Sequence, residues 1–236
     1  MKFTYLSPDF ANPTGETLTL AERGAVLGLA EALYIALVED AAYQVLRYDG
    51  VPVPPLLALD IARHGFIEGS RVIYCGSFSK SLAPGLRLGW VCAASPVIGR
   101  LVLMKQPADL HSSTLNQIAT EHLARRIFDA HVAALRQTYA ARRDAMLAAL
   151  TRHLPVGVTW TRPEGGMFVW LKLPKHLDGA AILARALARE KVAFVPGAAF
   201  FADGSNGNTL RLSFSCAAPE VIEDGMIRLG RLIAAS

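Results

Sequence analysis

The stretch 71–93 reads RVIYCGSFSKSLAPGLRLGWVCA, and its character changes twice. Arg71 to Cys75 is a short apolar run with β-branched and aromatic side chains, the pattern of a buried strand. Gly76-Ser77-Phe78-Ser79-Lys80 then turns small and polar, and Leu86 to Ala93 is apolar again and reads as another strand. Lys80 therefore follows a strand end. An amine there, desolvated against apolar strands, is suited to attack an aldehyde. An ordinary surface lysine fits the same fragment, and the fragment alone favours that plainer reading.

The pattern repeats upstream. Phe3 to Leu6 reads as a short strand running into the turn-rich Ser7-Pro8-Asp9-Phe10-Ala11-Asn12-Pro13-Thr14-Gly15. Thr19-Leu20-Ala21-Glu22 has the form of a capping box and predicts a helix over 20–33. The apolar run Ile35 to Val38 reads as a strand ending in polar Glu39-Asp40, and Leu56 to His64 as a helix. Strands separated by helices predict an α/β fold with a mostly parallel sheet and right-handed crossovers.

Downstream, residues 113–154 are helical, with Leu135, Tyr139, Met146 and Leu150 on one face. Val156 to Trp160 and Met167 to Leu173 then alternate like strands around the turn Pro163-Glu164-Gly165-Gly166. Asp178 is placed to cap a helix reaching about Glu190, Val192 to Val195 and Leu210 to Phe214 read as strands, and a last helix follows Pro219. The expected division is a large α/β part over 1–145 and a small C-terminal α+β domain over 146–236.

Composition narrows the function classes. At 52% hydrophobic and 19% charged residues, the chain of 236 is a packed globular one. Its mean hydropathy of +0.31 points to a deeply buried core or to a partner covering part of it. The longest apolar run, 32–38, is too short to span a bilayer, and the N-terminus lacks the pattern of a signal peptide, so a cytoplasmic protein is expected. Cys75, Cys92 and Cys216 form no metal or redox motif and are expected to be buried free thiols. The formal charge of +4 is scattered; the doublets Arg125-Arg126 and Arg142-Arg143 read as solvated helix faces, not as a nucleic-acid stripe.

In an open parallel sheet, ligands bind beyond the C-terminal strand ends. Asn12, then Asp40 and Tyr43, then Ser77, Ser79 and Lys80 follow successive strands and are expected to converge along one sheet edge. Asp40 is placed either to ion-pair with a ring nitrogen, as an electron-sink cofactor needs, or to cap a helix. Arg87 with the hydroxyls of Ser77 and Ser79 suits a phosphate; alone each is a surface or turn residue. Arg211, inside Leu210 to Phe214, is either a clamp for a carboxylate or an exposed strand arginine, and alternation leaves the two equal.

Taken in order, these motifs resemble the class I/II aminotransferases of fold type I, nearest to the branch of aromatic and 2-aminoadipate aminotransferases. The resemblance rests on Asn12-Pro13-Thr14-Gly15 preceded by Pro8-Asp9-Phe10, on Asp40-Ala41-Ala42-Tyr43, on Ser77-Phe78-Ser79-Lys80 with Arg87 seven residues on, on Pro163-Glu164-Gly165-Gly166-Met167-Phe168, and on the segment around Arg211. It covers essentially the whole chain. It implies part of the large domain that binds pyridoxal 5'-phosphate, plus the small C-terminal domain. It implies a ping-pong transfer of an amino group from an amino acid to a 2-oxo acid. Lys80 then carries the cofactor as an internal aldimine and shuttles the proton. Asp40 pairs with the pyridine nitrogen, Asn12 and Tyr43 donate to the ring oxygen, Ser77, Ser79 and Arg87 hold the phosphate, and Arg211 with Asn12 holds the substrate. A homodimer is expected of the full-length chain.

Members of the family carry further N-terminal segments: an arm, a glycine turn whose helix binds the phosphate, and an aromatic residue stacking on the ring. Without them, weaker cofactor binding and uncovered strand edges and helix faces are expected. The alternatives are a lyase or decarboxylase with the same cofactor, a truncated inactive fragment, and an aminotransferase-like effector-binding domain without catalysis.

Overall fold

The computed structural model describes residues 2–236. The chain forms two compact units, Met1–Asp9 with Thr17–Leu135 and Phe10–Glu16 with Arg136–Ser236. The division falls at 135/136, where the sequence placed it at 145/146, and the turn 10–16 goes with the second unit.

In the first unit, β1 (Phe3–Leu6), β2 (Ala36–Asp40) and β3 (Val72–Ser77) pair in parallel, and β4 (Gly89–Cys92) adds to β3 in antiparallel. The register sets two faces, because successive side chains alternate. Leu37 and Val72 point to the side where α1 (Leu20–Ala32) and α2 (Leu56–His64) supply Leu27, Ala30, Leu56 and Leu57, forming one core. Each such fully buried aliphatic contributes about 1.5–3 kcal/mol. Phe3 and Tyr5 of β1 lie on the opposite face and are exposed. Tyr5 is in register with Val38, and Asp40 is in register with Cys75, so Tyr5, Asp40, Cys75 and Ser77 share that opposite face.

Local chemistry sets the helix ends. The Thr19 hydroxyl accepts the Glu22 N–H at 3.3 Å while the Glu22 carboxylate accepts the Thr19 N–H at 2.8 Å, the capping box expected from the sequence. α2 starts where Glu39 accepts the N–H groups of Leu56 and Leu57, at 2.8 and 3.0 Å, and ends at Gly65 with φ 84°. α3 (Ser95–Asp109) buries none of its side chains within the chain, and α4 (Thr114–His153) is one unbroken helix of 40 residues.

Several expectations change. β2 runs on through Glu39 and Asp40 instead of stopping at Val38, because the Glu39 carboxylate is buried and satisfied by the start of α2. The fourth strand begins only at Gly89, after a short helical turn at Pro84–Leu86, and is antiparallel. Cys92 and Cys216 are exposed and Cys75 is half-buried, so the thiols are free but not buried. Arg143 is no solvated doublet member: it is buried, donating to the Pro163 carbonyl at 3.0 Å.

In the second unit, β5 (Thr159–Trp160), β6 (Phe168–Lys172), β8 (Thr209–Ser213) and β7 (Val195–Pro196) form an antiparallel sheet in that order. β5 and β7 are shorter than the sequence suggested. α5 (Gly179–Arg185) is capped by Asp178, which accepts the Ala181 N–H at 2.8 Å. α6 (Pro219–Ala234) buries Ile222, Met226, Leu229 and Ile233 at helical spacing. The turn 10–16 is tied in by the Thr161 hydroxyl, which donates to the Thr14 carbonyl at 2.8 Å. Gly15, at φ 74°, passes so near the Phe168 carbonyl that a Cβ would sit 2.7 Å from that oxygen, which only glycine allows.

Candidate active site

Two groups of polar residues stand out, one in each unit. In the first, the C-terminal ends of β2 and β3 carry Asp40 and Ser77 on one sheet face. The Asp40 carboxylate is held at both oxygens: Oδ1 accepts the Ala42 N–H at 3.1 Å, and Oδ2 accepts the Tyr5 hydroxyl. Burial and the neighbouring carboxylate push the Tyr5 phenol up to about 12. Tyr5 as a residue is 59% exposed, so the carboxylate is the cause that the geometry shows directly. Cys75, in register with Asp40, has its thiol pushed up by burial and by the Asp40 charge.

Beyond β3 the chain folds back on itself. The Ser77 Oγ accepts the Ser79 N–H at 3.1 Å, and the Ser81 hydroxyl donates to the Ser77 carbonyl at 3.3 Å. Lys80 follows on this turn, half-buried. Arg87 sits at φ 52° after the helical turn, exposed, with one Nη donating to the Pro84 carbonyl at 3.2 Å. Phe78 packs on Trp90 of β4 with ring centroids 4.7 Å apart, and the Phe78 N–H donates to the Leu88 carbonyl at 3.1 Å; these contacts fix the two ends of the loop. Tyr43, in the turn after β2, is buried.

These residues fit pyridoxal phosphate. Asp40 is an oriented carboxylate for a ring N–H, Lys80 is an amine for an aldehyde, and two serine hydroxyls and a guanidinium with donors to spare suit a phosphate.

In the second unit, Arg211 lies at the centre of β8, opposite Trp170 of β6 and Val195 of β7. Its guanidinium sits over the Phe168 ring at 4.3 Å and near the Phe200 ring at 5.3 Å, and Nη1 donates to the Asn12 Oδ1 at 2.5 Å. The sequence left Arg211 equally inward or outward. In the structure it is half-buried, braced by aromatic faces and by Asn12. A planar, braced guanidinium suits two-point binding of a carboxylate. Asn12, expected beside the β2 and β3 residues, is held by Arg211 within the second unit. Phe168 and Phe200, which brace Arg211, and Tyr5, which holds Asp40, were not read as site residues. Phe168 stood within a quoted motif, whereas Tyr5 and Phe200 carry no sequence signal without the pairing register.

A family model described as aminotransferase class I and II matches residues 9–229. The chain is 44% identical over 234 residues to aromatic-amino-acid aminotransferase 1 of Thermococcus litoralis, covering 99% of this chain and 54% of that protein. It is 43% identical over 232 residues to 2-aminoadipate transaminase of Thermus thermophilus, covering 98% of this chain and 57% of that protein. Among solved structures, the α-aminoadipate aminotransferase LysN of Thermus thermophilus, complexed with N-(5'-phosphopyridoxyl)-L-leucine, superposes with a TM-score of 0.92 at 42% identity, over 99% of this chain and 59% of that one. The chain thus spans a little over half the length of the relatives it matches. Its fold, its motifs and these likenesses place it in one family: the chain belongs to the class I and II aminotransferases.

Proposed function

We propose that this chain carries the cofactor-binding and catalytic residues of an aminotransferase that uses pyridoxal phosphate to move an amino group from an amino acid to a 2-oxo acid. The observation that carries the reading is the sheet face with the doubly held Asp40 and Ser77, directly followed by Lys80. When bound, the cofactor supplies an electron sink for the carbanion at the substrate α-carbon. Asp40 holds a proton on the ring nitrogen and so keeps that sink cationic. Ser77, Ser79 and Arg87 anchor the phosphate, while Asn12 and Tyr43 donate to the ring oxygen. Arg211, levelled by Phe168 and Phe200, binds the substrate carboxylate and orients the α-proton. The Lys80 Nζ takes that proton as base and returns it as acid. Release of a keto acid before the second substrate binds makes the kinetics ping-pong.

The names of the relatives point to aromatic or long acidic amino acids as donors. The reading extends to a cytoplasmic homodimer. The three free thiols support a reducing compartment, and the exposed Val102, Leu103 and Met104 on α3 support an assembly that covers them.

The test is incubation of the chain with pyridoxal phosphate, borohydride reduction and peptide mapping. A visible band bleached by borohydride, with the adduct on Lys80 and lost in Lys80→Ala, is the expected result. Adducts scattered over other lysines, or the same adduct in Lys80→Ala, would refute the assignment.

A further inference from the structure

β1 offers the Asp40 face one polar group, and pairing explains its position. Tyr5 sits in register with Val38, and Asp40 lies two residues further along β2, on the same face. In a parallel pair, a long side chain leaning along its strand reaches the neighbour's next same-face position. The Tyr5 hydroxyl does so and donates to Asp40 Oδ2, while Oδ1 is held by the Ala42 N–H. One oxygen is thus fixed by its own turn and the other by the adjacent strand, which sets the plane of the carboxylate.

We infer that Tyr5 is a positioning residue, orienting the Asp40 carboxylate toward the pyridine nitrogen of bound pyridoxal phosphate. The inference rests on the role proposed above for Asp40. An ionised carboxylate has about four acceptor positions, of which two are used here, so room remains for a ring N–H. The donor stays a neutral phenol at neutral pH, since burial and the Asp40 carboxylate hold it near 12, with a Ser7 hydrogen bond acting the other way. Cys75, in register across β3, also stays protonated, because burial and the Asp40 charge raise its thiol. Losing the phenol frees the carboxylate to rotate, so pairing with a ring N–H weakens.

The test uses the full chain and ring-15N-labelled pyridoxal phosphate, comparing wild type, Tyr5→Phe and Asp40→Ala, each checked for native circular dichroism. Dissociation constants come from absorbance titration. The 15N shift against pH gives the midpoint at which the ring nitrogen loses its proton. Tyr5→Phe is expected to bind the cofactor about tenfold more weakly and to lower that midpoint by about one pH unit, the same factor of ten. Asp40→Ala moves both further. If Tyr5→Phe weakens uptake with the midpoint unmoved, Tyr5 only packs and the inference is overturned. It is overturned alone if Asp40→Ala shifts the midpoint and Tyr5→Phe matches wild type. If the wild-type chain takes up no cofactor, or Asp40→Ala matches wild type, the proposed function itself falls. Without cofactor, the Tyr5 phenol, followed at its ultraviolet ionisation band, is expected to titrate earlier in Asp40→Asn than its native value of about 12. An unchanged phenol titration refutes the contact.

Discussion

Replacing Arg23 by Met should unfold the first unit more readily than any surface change. Arg23 is fully buried on α1, beside an Asp9 that is only 3% exposed. Its Nη2 donates to Asp9 Oδ1 at 2.7 Å and to the Pro8 carbonyl at 3.3 Å, Nη1 to the Pro54 carbonyl at 3.0 Å, and Nε to the Leu18 carbonyl at 3.1 Å. Methionine keeps the apolar stem but removes every donor. The Pro8 carbonyl retains the Leu18 N–H at 2.8 Å, so it is spared. The Leu18 and Pro54 carbonyls each lose a hydrogen bond of about 1 kcal/mol. Among the described residues Asp9 then keeps Arg47, at 3.6 Å, and breaking a buried pair by removing one partner costs about 3–5 kcal/mol. Because Arg47 remains, the lower end of about 3 kcal/mol applies, and with the two lost carbonyl bonds the total is about 5 kcal/mol. The assay is urea unfolding read by Trp90 fluorescence, in a background with Trp160 and Trp170 changed to Phe. Adding Asp9→Leu to Arg23→Met should recover part of the loss, since no buried charge then lacks its partner. A loss below about 1 kcal/mol would show that water or Arg47 replaces Arg23, and the reasoning would be refuted.

Gly15→Ala forces a side chain to φ 74° with its Cβ against the Phe168 carbonyl, and should cost about 3 kcal/mol in urea unfolding; a loss below about 1 kcal/mol would show that the turn relaxes freely. Hydrogen bonds from Arg152 and His153 lower the Glu223 carboxyl, so its contribution is present above pH 4.5 and disappears as pH falls through the lowered value. Melting temperatures of Glu223→Gln should therefore lack that acid limb. Burial raises the Glu39 carboxyl, so its linkage has the opposite sign: the contribution is full below pH 4.5 and declines as pH rises through the raised value. Glu39→Gln should flatten that slope in melting curves, and an unchanged slope would assign it elsewhere.

The elements legible in the sequence were those with local punctuation. Thr19 with Glu22 marked the start of α1, and Gly65 lies just past the His64 at which α2 was predicted to end. α3 buries no side chain and was not read from the sequence. The direction of β4 was recoverable, since the loop from Ser77 to Gly89 is shorter than the dozen or more residues that a parallel crossover needs. Motif residues such as Lys80, Asp40 and Arg211 stood out by type and spacing. Their supports did not, because the Tyr5–Asp40 and Arg211–Asn12 contacts join residues 35 and 199 positions apart.

β2 ends in two adjacent carboxylates that serve opposite sides of the sheet. Glu39 is bonded to the first two N–H groups of α2, and Asp40 is bonded by Tyr5. Sliding the strand by one residue would exchange them, driving Asp40 into the apolar side and lifting Glu39 out of its helix contacts. Glu39 thus works as an indexing pin for its neighbour. A single insertion or deletion between Ala36 and Asp40 would remove both functions at once.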